Sequence, residues 1–232
     1  RAVVDAVRDT EGRPVKIYGI IQDVTAREAS RLKLAEVERQ LREHQENLAA
    51  EHRLAAELQQ IVLPIPDAPI DLPGLRAAVR YLPAEQASRV GGDWYHAAVA
   101  DDGSVILAVG DVAGHGVQAA ATMAQLRHAL AALAATTTGD PAALLQHLNQ
   151  LIYSSVPPDA TATAVVARYD PATHDLTWAQ AGHPAPLLIR DGVTAELPRP
   201  HGTLLGAVRR PRYDTATTTL GPDDLLLLYT DG

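Results

Sequence analysis

The sequence predicts an α+β layered sandwich with a long helix in front of it, and three patterns carry the prediction. Short apolar runs punctuated by turn residues recur from residue 75 to residue 229. Two helical stretches sit side by side in their midst. The closing run, Leu225-Leu226-Leu227-Leu228-Tyr229, is apolar at every position, as expected of a central strand covered on both faces. Antiparallel strands with adjacent helices bury a sheet beneath a helical layer.

Residues 1–24 read as two strands. Val3, Val4 and Val7 precede the turn Asp9-Thr10-Glu11-Gly12, and Val15 to Val24 follow through Ile17, Tyr18, Ile20 and Ile21. Two strands bury no core of their own, so they end a domain or pair with another chain. The first residues are no signal peptide and read as a cut inside something longer. Residues 25–63 read as one helix: Thr25 and Glu28 form a capping box, and no breaker comes before Pro64. Leu34, Val37, Leu41, His44, Leu48, Glu51, Ala55, Leu58 and Val62 recur at steps of three and four, a heptad seam. That pattern predicts a parallel coiled coil and hence a homodimer through residues 25–63. One amphipathic helix lying on its own globular domain is the alternative. The polar seam residues His44 and Glu51 suit a linker that changes register or splays when signalling.

Pro64, Pro66, Pro69 and Pro73 mark an extended connector, and residues 64–232 form the main domain. A strand is expected over Leu75–Tyr81. The apolar stretches either side of Asp101-Asp102-Gly103 form a hairpin. Helices are expected over Val117–Ala135 and Pro141–Tyr153, the second with Asp140 as N-cap and Pro141 at its first position. Strands follow at Ala160–Tyr169, Leu176–Ala181, Pro186–Ile189 and Thr215–Leu220, with turns at Asp170-Pro171-Ala172-Thr173 and Arg190-Asp191-Gly192.

The hairpin carries the chemistry. With a three-residue loop, Ala100 faces Ser104, and counting outward sets Asp93 opposite Asp111. Cross-strand Cβ atoms lie roughly 4.5–5.5 Å apart, so two carboxylates there repel unless one is protonated or a cation lies between them. The flanking Gly91, Gly92 and Gly110 favour a hard divalent ion held by oxygen ligands. A solvated pair of strand-end aspartates is the other reading, since register by counting slips easily by one residue.

Composition narrows the field. The net charge of −8 disfavours nucleic acid and anionic membranes as partners. The chain has no cysteine, which rules out disulfides, thiolate catalysis and Cys-ligated zinc. No apolar run approaches the roughly 18 residues of a membrane span, and a cytoplasmic protein is expected.

Four motifs then coincide: Val90-Gly91-Gly92-Asp93-Trp94-Tyr95, Gly110-Asp111-Val112-Ala113-Gly114-His115-Gly116, Ala181-Gly182-His183-Pro184 and Leu228-Tyr229-Thr230-Asp231-Gly232. In order and spacing they resemble the SpoIIE/RsbU-type PPM (protein phosphatase 2C-like) serine phosphatases, and Leu58 to Pro64 is similar to that family's entry segment. Residues 12–25 resemble the last two strands of a PAS sensor domain. The resemblance implies an αββα sandwich of two antiparallel sheets with outer helices, and a pair of Mn²⁺ or Mg²⁺ ions at one sheet edge. It implies that Asp111 bridges both ions, that Asp93 and the Val112 carbonyl help bind one, and that Asp231 binds the other. It implies two-metal hydrolysis, in which water attacks the phosphorus of a phosphoserine protein of the anti-sigma-factor-antagonist type. PAS-like and coiled-coil segments in this family couple a signal to the phosphatase. Family members continue past Thr-Asp-Gly and supply a further metal-binding Asp, so a C-terminally truncated site is expected here. His96, Gln180 and Ala113 depart from the family's usual residues at positions that bind no metal.

His115, between two glycines at a helix start, is a candidate general acid for the leaving serine oxygen. A structural donor fixing the loop is its alternative role, and His183 likewise. Arg76, Arg80 and Arg89 are candidates for phosphate binding. Two other functions compete with the phosphatase. One is a non-catalytic partner-binding module, which has no need of three clustered carboxylates. The other is a two-metal phosphodiesterase, which calls for histidine ligands at spacings absent here.

Overall fold

The computed structural model describes residues 2–23, 25–62, 64–81, 91–137, 139–155 and 160–230. Two compact units divide the chain, Arg1–Ala50 and Glu51–Gly232.

In the first unit β1 (Ala2–Arg8) and β2 (Pro14–Ile21) pair antiparallel around the Asp9 turn. Asp9 Oδ1 accepts from the backbone N–H groups of Glu11 and Arg13, which closes the turn. Val4 and Val15 remain exposed, as two strands without a covering layer require. Helix α1 spans Thr25–Val62. Its cap differs from the expected box. Asp23 Oδ1 accepts the Thr25 N–H at 2.9 Å, and Glu28 pairs with Arg31 instead. An Asp two residues upstream competes well for the first free helical donor. The seam residues Leu34, Val37, Leu41 and Leu48 are 40–60% exposed in the single chain. Seam positions beyond residue 50 lie outside the described side chains.

The second unit is layered. Strands β5 (Trp94–Val99), β6 (Val105–Val112), β7 (Ala162–Tyr169), β8 (Asp175–Ala181) and β11 (Ala216–Thr219) form an antiparallel sheet in the order β11-β8-β7-β6-β5. Helices α2 (Val117–Thr136) and α3 (Pro141–Ser155) cover one face. There Met123, Leu126, Leu130, Leu144 and Leu148 pack on small sheet residues such as Ala108, Ala164 and Ala179. Bulk on the helices and alanine on the strands lets the two layers close without any Phe in the chain. The opposite face, with Val105, Val165, Leu176 and Trp178, packs on Leu188, Leu197 and Leu226. Leu188 and Leu226 belong to a second sheet of β10 (Val193–Glu196), β9 (Leu187–Arg190) and β12 (Leu225–Leu227). Successive β6 residues from Val105 to Val109 alternate between the two cores, so that part of the strand is apolar throughout. The described residues thus give a helix layer and two antiparallel sheets of the expected α+β sandwich.

Several boundaries moved. The expected strand over Leu75–Tyr81 is a small hairpin of β3 (Ile70–Leu72) and β4 (Leu75–Ala77) around Pro73-Gly74. Gly74 takes φ 72°, the conformation a type II turn asks of the residue after its proline. Strand β10 was not anticipated. The Leu225–Tyr229 run is corrected too. Only Leu225–Leu227 is strand, it pairs with β9 alone among the described residues, and Leu225 and Leu227 are 62% and 45% exposed. Period-two geometry turns Leu226 inward and its neighbours out. Asp140 caps α3 as expected, its Oδ1 accepting the Ala143 N–H at 3.0 Å.

Two tests follow from this packing. Asn149, 1% exposed on α3, accepts from Gly206 N–H and donates to the Val208 carbonyl. Asn149→Ala strands both groups and should lower unfolding free energy by about 2 kcal/mol in urea titrations. His96 on β5 buries its Nε2 without a partner. Burial and then the Arg127 charge hold its pKa down from 6.5 to about 4. The unfolded ring therefore takes a proton between those values that the native ring refuses, and stability falls as pH falls through that window. His96→Leu should flatten stability against pH there by about one proton, read from unfolding curves across the range.

Candidate metal centre

The hairpin register is the one counted from the turn. Val99 pairs with Val105 and Trp94 with Gly110, and the Ala100 N–H donates to Ser104 across the loop. Asp102 tightens that loop by accepting from the Ser104 N–H and hydroxyl and from Arg168. These bonds hold the Asp102 carboxyl down to about 2. One step beyond Trp94 and Gly110, Asp93 stands opposite Asp111. One step further, the Val112 N–H donates to the Gly92 carbonyl at 3.2 Å.

Gly92 makes the close approach possible. A Cβ there would overlap the Val112 carbonyl oxygen and lie 2.9 Å from Asp111 Oδ1. Next to Asp93, Trp94 is 2% exposed and lies over Gly110, where a Cβ would meet its ring at 2.6 Å. The tryptophan thus anchors the backbone beside one carboxylate while glycine opens the space beside the other. Two carboxylates with a backbone carbonyl alongside form an all-oxygen donor set, which fits a hard ion such as Mg²⁺ or Mn²⁺ that keeps several waters. Among the described residues, no three His, Cys, Asp or Glu side chains gather into a fuller cage. Asp231 lies outside the described residues, as does Arg89.

The histidines separate. His183 is 3% exposed; its Nε2–H donates to the Tyr229 carbonyl at 2.9 Å, and its Nδ1 accepts from Thr163 Oγ1 at 2.8 Å. The carbonyl can only accept, which fixes this tautomer in the neutral ring. Thr163 pairs with Asp111 across β6 and β7, so His183 ties the metal strand's neighbour to the segment that runs into Asp231. No sequence signal marks Thr163 except its register opposite Asp111. His115 is exposed between Gly114 (φ 101°) and Gly116 (φ 87°), and Gly116 is the N-cap of α2. It makes no contact with either carboxylate among the described residues. Arg76 pairs with Asp71, and Arg80 donates to the neighbouring Val79 carbonyl; neither reaches the carboxylates.

Residues 101–232, more than half of the chain, match the family model described as Stage II sporulation protein E (SpoIIE). The chain belongs to the SpoIIE family. It is 29% identical over 197 residues to the phosphoserine phosphatase RsbU of Bacillus subtilis, covering 83% of this chain and 56% of RsbU. This SpoIIE-family chain thus spans about half the length of that relative. Among solved structures, it resembles that of the RsbU and RsbW domains of Rv1364c from Mycobacterium tuberculosis at 35% identity, with a TM-score of 0.54 over 64% of this chain and 41% of that one. The SiaA-PP2C domain of Pseudomonas aeruginosa shares the fold at 22% identity, with a TM-score of 0.59 over 79% of this chain and 71% of that one.

Gly92→Ala tests the crowding at the site. The added methyl meets backbone rather than a movable side chain, so the hairpin end must shift. The expected loss is about 1–3 kcal/mol of stability, with weaker Mn²⁺ binding by calorimetry, whereas Gly103→Ala in the open loop should leave Mn²⁺ binding unchanged.

Proposed function

We propose that the chain is the metal-dependent phosphatase module of a protein that removes phosphate from phosphoserine or phosphothreonine on a regulatory protein. The observation that carries this reading is the opposition of Asp93 and Asp111 at the Gly92 contact, within a SpoIIE-family fold. In this reading Asp93, Asp111 and the Val112 carbonyl hold one divalent ion, and Asp111 with Asp231 holds a second. The bound pair supplies a lowered water pKa, in-line positioning and neutralisation of charge on the phosphoryl oxygens.

The chain's own groups do the rest. Trp94 and the Gly110 contact keep the Asp93 backbone fixed. His183 holds the Tyr229 carbonyl, two residues before Asp231, and so steadies the approach of that ligand from a distant part of the chain. In this reading His115, exposed at the start of α2, would hand a proton to the departing serine oxygen. The chemistry needs no nucleophilic side chain, in keeping with a chain without cysteine.

The substrate in this reading is a phosphoserine protein of the anti-sigma-factor-antagonist type, which RsbU's name as a phosphoserine phosphatase supports. Control runs through residues 1–63: the end of a PAS-like sensor (1–24), then a linker (25–63) that dimerises. The exposed seam of Leu34, Val37, Leu41 and Leu48 supports dimerisation. Tyr95 supports a link to the site: its hydroxyl donates to the Pro64 carbonyl at 2.6 Å, joining the linker's exit to the strand that follows Asp93.

Calorimetric Mn²⁺ titration of the chain and of Asp111→Asn, with hydrolysis of a phosphoserine protein in parallel, tests the reading. Binding heat should vanish in the variant, and turnover should fall on the order of 100-fold or more, the several kcal/mol that metal stabilisation supplies. Equal Mn²⁺ binding in both proteins would sink it.

A further inference from the structure

A second polar site lies outside the carboxylate pair. Gln150, Tyr153 and Ser154 at the end of α3 line a cleft of about 280 Å³ with Arg209 and Arg210. Both arginines are exposed, and neither has a carboxylate partner among the described residues. Their neighbours in the same connection differ: Arg199 pairs with Glu196, and Arg212 with Asp214. From residue 197 to residue 213 the chain carries four arginines, one histidine and no acid, in a protein of net charge −8. Two adjacent guanidinium groups without a carboxylate partner among the described residues, beside the Tyr153 phenol and the Gln150 amide, form a receptor for oxyanions, while the Ser154 hydroxyl donates to the Gln150 carbonyl.

The cleft is held in shape. Asn149, buried beneath it, fixes Gly206 and Val208 by the two hydrogen bonds described above. Gly206 takes φ 82° against the Ala160 carbonyl, where a side chain would collide. Leu205 exchanges two backbone hydrogen bonds with Ala162, at 3.0 and 3.1 Å. Ala162 in turn pairs with Val112. Two strand spacings, on the order of 10 Å, therefore separate Leu205 from the carbonyl of the metal site. The arginines follow Leu205 by four and five residues, so they flank the same end of the sheet. Ala162 and Leu205 stand between them and Val112, so the anion they hold is distinct from a phosphoryl group at Asp93 and Asp111.

We propose that this cleft is an exosite that binds a carboxylate-rich segment of the phosphoprotein whose phosphoserine enters the Asp93–Asp111 site. The proposal rests on the phosphatase reading above. An acidic chain whose catalytic edge is itself two aspartates repels an acidic partner, and the arginine pair supplies the attraction that the edge lacks.

Fluorescence anisotropy on the full chain, in EDTA at low salt, tests it with three labelled synthetic peptides. One carries phosphoserine flanked by four glutamates, one has glutamines in their place, and one has the glutamates with plain serine. Both glutamate peptides should bind about 10-fold or more tightly than the glutamine peptide, with the preference shrinking in high salt. Arg209→Ala with Arg210→Ala should abolish the preference, and the Lys pair should restore part of it. No preference, a preference that survives the alanine pair, or binding that follows phosphoserine alone overturns the exosite. Mn²⁺-dependent hydrolysis of p-nitrophenyl phosphate is measured separately. Its absence beside an intact glutamate preference overturns the phosphatase reading while the cleft stands. Its presence without that preference overturns the cleft alone.

Discussion

Everything at the open edge of this fold depends on holding two like charges opposite each other. Carboxylates on directly paired residues of adjacent strands destabilise the sheet that carries them. Asp93 and Asp111 are held there because the hairpin around them is over-determined. Its three-residue loop is closed by Asp102, Ser104 and Arg168, its register is locked by six strand pairs, and Trp94 is clamped over Gly110. A slip of β5 by one residue would turn the tryptophan out of the core and send Asp93 to the other face from Asp111. The hydrophobic cost of that slip fixes the electrostatic arrangement.

The sheet order explains why the pair sits where it does. Among the described residues β5 ends the sheet and β6 is its inner neighbour. Asp111 is supported from behind by β7, whose Thr163 contacts His183. The two cores on either face of β6 leave its end as the place where polar groups can gather without being buried. The buried apolar packing lies in the middle of the sheet and the carboxylate pair at its rim.

Much of this was legible in the sequence because the signals were local. The Asp101-Asp102-Gly103 turn set the register of the carboxylates, and Asp140-Pro141 set the start of α3. Features that depend on distant partners were not legible. His183 finds Thr163 twenty residues away and Tyr229 forty-six away, and nothing in either neighbourhood encodes the meeting. Strand β10, Val193–Glu196, is exposed at all four positions and so lacks an alternation to read. The leucines of β12 misled for the opposite reason. An all-apolar run reports that both faces can be covered, whereas among the described residues only the inner face of the β10-β9-β12 sheet is packed, which leaves Leu225 and Leu227 exposed. The helix cap moved because Asp23 and Thr25 offer competing signals two residues apart, and propensity alone does not rank them.

In the function proposed above, control of the site through the linker would be limited by the size of the contact that transmits it. The Tyr95 hydroxyl on the Pro64 carbonyl is one hydrogen bond at a partly exposed position. A bond of that kind is worth about 0.5–1.5 kcal/mol net, a bias of roughly 2- to 13-fold between two states, since 1.4 kcal/mol is tenfold. A switch from nearly off to nearly on needs about 5.5 kcal/mol of differential interaction. On the proposed reading, association of the linker would have to supply most of the energy, and an exposed seam with polar residues at two core-type positions suits that. In that reading the tyrosine, two residues from Asp93 and bonded to the Pro64 carbonyl, is the point where that energy would meet the hairpin.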